Sequence, residues 1–512
     1  MASGLLVAFN RPSPHRTMPT DKTPMRYPFV PDWGDPEWFT FPACDGDGRQ
    51  LGVQTYFIDG FLHGRQTGRE IAFMAVVTDA RLLAGTLRFS FLSFAFFDCA
   101  TGHYGTCTDF DRPHPPAETA GRLTTAADHL ALDYRGKRGR GSWHNRRDAG
   151  GALVPVGWRL EVAGTDHHGA AMELDLEIDA SRPPAPLGGR MLGGEMMFLG
   201  EPRTFSYFQS GLSMRGRLAW QAPPESSQPF IDEEVSGEIG WIDRQWAIDD
   251  FSRHQDAETA RYRNEWRVIQ LDSGWDMSCF HQFQRDRSNA VVPWTGLSAQ
   301  GPGPLHELRA THRVELRVPD FVRSPGIVRA PSMLSEGPRW FPRRYRLLAS
   351  EWDLDLECEP LTEAPAHRFP IEYWTGPVRV HGRLFGETVA GVGFDERSHP
   401  RIRDFELVAA LRSALDHGPD AGELAVSRLA LRVWEVEALL LRDDPAAAAE
   451  YLTRHVLPGL AGLKGERAER LRALAGDVHS KIEERSRFGE GTSTSPPAGA
   501  TPGARPRQAG ET

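Results

Sequence analysis

Cysteine is scarce in this chain. Its 512 residues hold five, Cys44, Cys99, Cys107, Cys279 and Cys358, and no two of them form a Cys-x-x-Cys pair. An odd and scattered set argues against a disulfide framework and against a structural zinc cluster, and it suits a reducing compartment. Long apolar runs are lacking too: no stretch reaches the ~20 residues that a membrane span needs. The short apolar run at 5–9 has no basic region before it and is too short for a signal-peptide core. The expected location is therefore cytoplasmic, with a peripheral membrane contact left open. Positive charge is in the minority, 59 Lys+Arg against 69 Asp+Glu, for a net charge of −10. That balance speaks against a broad nucleic-acid surface. Several catalytic signatures are missing: there is no nucleophile elbow and no phosphate-binding glycine loop. Metal motifs are missing as well. His306, Glu307 and His312 lack metalloprotease spacing, and Asp45-Gly46-Asp47-Gly48 lacks the glutamate that would complete a calcium loop. No metal and no cofactor is expected.

Aromatic residues, by contrast, are plentiful. Fourteen tryptophans and 27 phenylalanines suit a β-rich core or a greasy pocket. The chain is too long for one ordinary domain. Residues 1–26 read as a flexible, proline-bearing lead-in. From about 50, short strands alternate with glycine-bearing turns, as in VQTYFIDGFLH–RQTG–REIAFMAVVTD, which is an antiparallel hairpin pattern. A first β domain is expected over 27–180, and the Pro/Gly-rich stretch 181–196 reads as a linker. Strands resume over 197–400, where Asp272-Ser273-Gly274 marks another hairpin turn. At 401 the period changes to that of amphipathic helices, giving a helical appendix over 401–487. Gly418 ends the first of these helices, and Asp444 followed by Pro445 opens a later one. Residues 488–512 carry too little apolar surface to fold. The basic stretch 135–147 reads as a solvated hairpin loop, ahead of an anion-binding site.

The most informative stretch is GEIGWIDRQWAIDD, 237–250, which places Asp243 between Trp241 and Trp246. Strand alternation puts Trp241, Asp243 and Gln245 on one face, and Ile242, Arg244 and Trp246 on the other. Arg244 is thereby separated from the carboxyl. An Asp beside a tryptophan in a desolvated setting keeps its proton near neutral pH and can donate it. The plain structural alternative, an Asp that pins a strand crossing, has the better odds from the residues alone. In IEYWTGPVRVHG, 371–382, Glu372 and Trp374 share a face and Tyr373 takes the other. In VQTYFIDGFLHG, 53–64, Tyr56 and Ile58 face one way and Phe57 and Asp59 the other; core packing is favoured there, with Asp59 or His63 able to reach a pocket mouth.

Taken together these residues resemble one family. Gly240-Trp241-Ile242-Asp243-Arg244-Gln245-Trp246 is similar to the G-x-W-x-D-x-x-W signature of the AttH-like and carotenoid 1,2-hydratase (hydroxyneurosporene synthase) group. The stretch from Glu372 to Val378 resembles that group's E-Y-W-E-G-x-V element, and FFDCATGHYG, 96–105, resembles its D-x-x-T-G-x strand end. The resemblance covers about 50–398. It implies a mainly β fold of two tandem lipocalin-like antiparallel barrels, here followed by the helical segment. It also implies either water addition to an isolated C=C bond of an acyclic carotenoid or, as in fungal relatives, Diels–Alder cyclisation of a polyketide chain. Departures from the pattern are Ala247, where glycine is common, the ending VAGVGFDE and the added helices.

Three functions follow. The first is acid-catalysed hydration of an isoprenoid- or polyketide-like substrate, with Asp243 and Glu372 as catalytic carboxyls. Trp241, Gln245, Trp246, Tyr373, Trp374 and Tyr56 then line the substrate, and the indoles stabilise a carbocation by up to about 2 kcal/mol each. The second is a cyclase that works by proximity and shape. The third is a non-catalytic carrier of a hydrophobic ligand. Beyond the substrate, the helical appendix offers a surface for a homo-oligomer or a partner protein.

Overall fold

The computed structural model describes residues 33–47, 52–83, 85–110, 122–198, 201–221, 231–248, 262–284, 296–303, 306–324, 338–362, 366–367, 373–397 and 400–490. Strands between Val53 and Ala247 form one antiparallel sheet, and strands between Tyr262 and Arg397 form a second. Both curl into half-barrels, the tandem lipocalin-like arrangement.

Residue pattern explains the curl. Ala171–Ala180 alternates strictly: Met172, Leu174, Leu176 and Ile178 are buried while Glu173 and the acids after it face outward. Inward side chains of this kind fill the first half-barrel with Ile58, Phe73, Phe94, Trp143, Trp158 and Leu218. The second is filled by Met277, Leu297, Trp340, Leu347 and Val378, and this core continues into the helices through Leu411, Val433 and Val478.

The long strand Ile231–Ala247 departs from alternation part-way. Over 231–238 every second residue is exposed; from Gly240 to Ile242 every residue is buried. The strand has by then acquired cover on both faces. One face meets the first core. The other meets the second sheet across a seam packed with Phe57, Phe61, Phe97 and Trp241 from one side and Trp266, Val268, Phe280 and Phe394 from the other. Phe394 lies 5.5 Å from Phe61 and 6.1 Å from Phe97, ring centre to ring centre. Each such ring taken from water stabilises the seam by roughly 1.5–3 kcal/mol.

The hairpins anticipated at RQTG, CATG and TDHHG are present, as is the turn at Gly274, whose φ of 82° suits glycine. The boundary between halves moves. The stretch 181–196 holds the short strand Ala185–Pro186 and the helical turn Gly189–Leu192, and its glycines at 188, 189, 193 and 194 take positive φ. Glu201–Gln209, Leu212–Trp220 and Ile231–Ala247 then all pair within the first sheet, so the change of sheet falls after Ala247. Proline and glycine there mark tight turns inside a sheet, not its end. The basic stretch 135–147 also differs from a loop. It is the turn and second strand of the hairpin Ala131–Arg135 and Gly139–Arg147, with Trp143 and Asn145 buried.

The helices Asp404–His417, Leu424–Leu441, Pro445–Tyr451 and Glu466–Glu490 follow the sequence pattern closely. The Asp444 side chain caps the third by accepting from the Ala447 N–H at 3.0 Å, with Pro445 in the first turn. The bundle is tied to the second half-barrel: Trp340 Nε1 donates to Asp477 at 2.8 Å, Ser413 donates to the Val318 carbonyl, and Arg470 pairs with Asp320. Among the described residues no helix is long and apolar enough to cross a membrane.

Candidate active site

The seam holds a narrow cleft with room for little more than one water, lined by Phe57, Asp59, Trp241, Asp243, Trp266, Val268, Thr375, Phe394 and Glu396. Its walls come from both sheets by simple register. Val53–Gly64 and Ile231–Ala247 run antiparallel with Phe57 opposite Asp243 and Asp59 opposite Trp241, so these four share a face. On the facing sheet, Glu396 lies opposite Trp266 on one side and Thr375 on the other, and Phe394 opposite Val268.

Three carboxyls therefore converge on one aromatic cleft. Burial raises Asp59 well above the ordinary carboxylate range, and the carboxyls of Asp243 and Glu396 push it further. Burial likewise raises Asp243, with Glu396 adding to the effect; a Ser206 hydroxyl donating at 3.2 Å and the Arg244 charge only partly oppose it. Burial pushes Glu396 up to about 7. Asp243 and Glu396 keep some accessible surface, whereas Asp59 is 1% exposed. All three carboxyls are thus biased toward the protonated form by burial, and Glu396, near 7, can exchange its proton near neutral pH.

Polar atoms without hydrogen-bond partners among the described residues mark the same place. They are Asp59 Oδ1, the Trp241 indole N–H and the Thr375 hydroxyl, all buried and all on cavity-lining residues. Orphaned buried groups cost about 1–3 kcal/mol each, so three around one cleft point to a polar guest. The open space, about 10 Å³, matches what one water needs. Among the described residues no group of His, Cys, Asp and Glu is arranged to hold a metal ion.

The residues singled out in the sequence divide. Trp241 and Asp243 line the cavity. Gln245 shares their face but lies beyond the cleft, its amide 3.8 Å from the Met196 sulfur. Trp246 packs with Phe39, Phe205 and Tyr207 instead. Tyr56 sits on the opposite side of its strand, beneath Arg244, whose guanidinium carbon is 3.8 Å from the ring centre. Trp374 is buried on the face of its strand opposite Thr375. Glu372 lies outside the described residues, as does the side chain of Tyr373. The sequence reading does not single out Glu396, Trp266, Thr375 or Phe394, and for Asp59 it favours core packing while leaving a pocket mouth open. Only the alternation in VGFDE, with Phe394 and Glu396 on one face and Asp395 on the other, carried a signal for Glu396.

No protein-family model and no curated protein sequence matches the chain. Solved structures do. A protein from Nitrosomonas europaea described as an AttH is 16% identical, with a TM-score of 0.52 over 72% of this chain and 98% of its own. Kievitone hydratase from Nectria haematococca is 13% identical, with a TM-score of 0.47 over 73% and 98%. CghA is 12% identical, with a TM-score of 0.38 over 72% and 96%. The fold is thus that of the tandem lipocalin-like proteins, and the first of these likenesses gives it the AttH form.

Proposed function

We propose that the protein is a cofactor-independent enzyme that adds water across a C=C bond of a hydrophobic, isoprenoid- or polyketide-like substrate at the seam between its half-barrels, which has room for one water as it stands and parts to admit the substrate. The observation that carries this reading is the convergence of Asp243, Asp59 and Glu396 on one desolvated aromatic cavity, with all three carboxyls raised by burial.

The steps balance as follows. The Asp243 O–H bond breaks and its proton goes to one alkene carbon, leaving Asp243 as carboxylate and the other carbon as a cation. The faces of Trp241 and Trp266 stabilise that cation. A water held at Glu396 attacks it, a C–O bond forms, and Glu396 takes the water's proton. Proton return from Glu396 to Asp243 resets the site. The reverse sequence is a dehydration. Two carboxylates, Asp243 and Glu396, face the cation, and Asp59, which burial holds toward its neutral form, adds no third charge.

A cyclisation needs shape and at most one orienting acid, so three convergent carboxyls favour hydration. Carriage in a barrel lumen is opposed by the packed interiors of both half-barrels. The test is metabolite profiling of a host lacking this gene, rescued with wild type or Asp243→Asn. Hydration predicts that the deletion and the variant both accumulate a compound one water lighter than the normal product. Accumulation of an isomer of unchanged mass would replace hydration with cyclisation, and full rescue by the variant would remove Asp243 from the chemistry.

A further inference from the structure

The helix Leu424–Leu441 has two apolar faces. Val426, Leu429, Val433, Val436 and Leu440 are buried against the rest of the bundle. The opposite face carries a second heptad-spaced series: Leu424, Ser427, Leu431, Trp434, Ala438 and Leu441. Its four large members are open to solvent, at 66%, 71%, 56% and 52% for Leu424, Leu431, Trp434 and Leu441. Half of the large hydrophobics that stand exposed among the described residues are on this one helix. A contiguous exposed stripe of this kind marks a contact surface.

The stripe is complementary to itself when reversed. If the helix lies antiparallel on a second copy about a twofold axis near residues 432 and 433, Leu424 meets Leu441, Ser427 meets Ala438, and Leu431 meets Trp434. Large residues then meet large ones at the ends and the centre, and small ones meet between them, as interdigitating seam positions require. The flanking charges fit the same reversal: Arg428 comes beside Glu435 of the other copy, and Glu435 beside its Arg428. Twofold contacts are built from one patch that matches itself in this way. Neither Arg428 nor Glu435 has an ion-pair partner among the described residues. We propose that this face is the contact of an antiparallel homodimer formed helix to helix. Residues 491–512 carry no Leu, Ile, Val, Phe, Met or Trp with which to cover it. The patch is one helix wide, at the small end of specific interfaces, so the dimer is weak and dissociates on dilution.

The test is sedimentation equilibrium of the full chain over a dilution series. Wild type is expected to pass from dimer to monomer. Leu431→Glu places a charge on each side of the seam and is expected to weaken association on the order of a hundredfold or more, with a melting curve unchanged at dilutions where wild type is monomeric, because Leu431 is exposed. Arg428→Glu and Glu435→Arg each weaken the dimer, and the double variant restores it. Orientation is read by cross-linking: Ser427→Cys with Ala438→Cys closes a disulfide between copies under mild oxidation, while Ser427→Cys alone does not. A chain monomeric at every concentration, a dimer indifferent to Leu431→Glu, or cross-linking by Ser427→Cys alone would overturn the proposal.

Discussion

Asp243 and Arg244 are neighbours in the chain and lie on opposite faces of one strand. The guanidinium turns into the first half-barrel, where it donates to Gln54 Oε1 at 2.6 Å, to the Gln245 carbonyl at 2.9 Å and to the Thr55 carbonyl at 3.2 Å. The carboxyl turns into the seam and, among the described residues, accepts only from the Ser206 hydroxyl. An ion pair between the two would hold Asp243 ionised and unable to donate. Strand alternation prevents it, and burial then keeps the proton in place. That arrangement answers why an acid sits between two tryptophans: only Trp241 shares its cavity, and Trp246 faces a different core.

Asp243→Asn follows from this. Burial favours the neutral form of the native side chain, so a neutral amide of the same shape leaves the seam intact. The melting temperature is expected to stay within a few degrees of wild type. Turnover is expected to fall by about 10²–10⁴, the usual contribution of a positioned acid. Paired thermal melts and product assays check both halves, and a large loss of stability would argue for a structural role.

The pH profile should belong to Glu396. An unfolded chain releases that proton near 4.5 and the folded one near 7. Between those values the folded state binds a proton that the unfolded state has lost. Stability is therefore highest below the window and falls as pH rises through it. Asp59 and Asp243 act in the same direction, so Glu396→Gln should reduce the slope of melting temperature against pH without abolishing it. Activity moves the other way. As the acceptor for water, Glu396 must be ionised, so kcat/KM should rise with pH through about 7 in wild type. That limb should vanish in Glu396→Gln.

The fold was legible because hairpins leave short-range marks. Alternation and glycine turns are local, and so were the helix period after 401 and the cap at Asp444. Asp243 and Trp241 were legible because they share one strand. Glu396 was not: it comes within reach only through the packing of one sheet on the other, more than 150 residues along the chain. The supposed linker at 181–196 failed for a related reason. Whether a Pro/Gly-rich turn ends a domain or merely a strand depends on what the following strands pair with, and that is a long-range property.

Trp241 should divide stability from chemistry. It is 1% exposed, so Trp241→Ala opens a large void, with an expected cost of about 3–5 kcal/mol. Trp241→Phe retains most of the volume and removes the indole N–H, which has no protein partner among the described residues. Since no protein bond is lost, the melting curve should shift little. Activity should fall roughly tenfold, because phenylalanine attracts a cation more weakly. Equal losses in stability and activity would make Trp241 a packing residue alone.

Arg244 should show the converse pattern. Its guanidinium lies over the Tyr56 ring, 5.2 Å from the Trp246 ring centre, and also donates to the Cys44 carbonyl. It thereby ties the segment around Asp45 to the half-barrel. Asp45 in turn accepts from the Tyr207 hydroxyl at 2.6 Å, and burial pushes its carboxyl up to about 6. Arg244→Ala removes four donated hydrogen bonds and the stacking on Tyr56 at once, with an expected loss of about 3 kcal/mol or more. Arg244→Lys should recover little, since an ammonium cannot lie flat on a ring while serving a fork of acceptors. Urea midpoints of both variants check this. The fraction that remains folded should keep near-normal turnover, because none of these contacts enters the cavity that holds Asp243. A folded Arg244→Lys that is inactive would mean that the guanidinium's contacts behind the strand also position the acid.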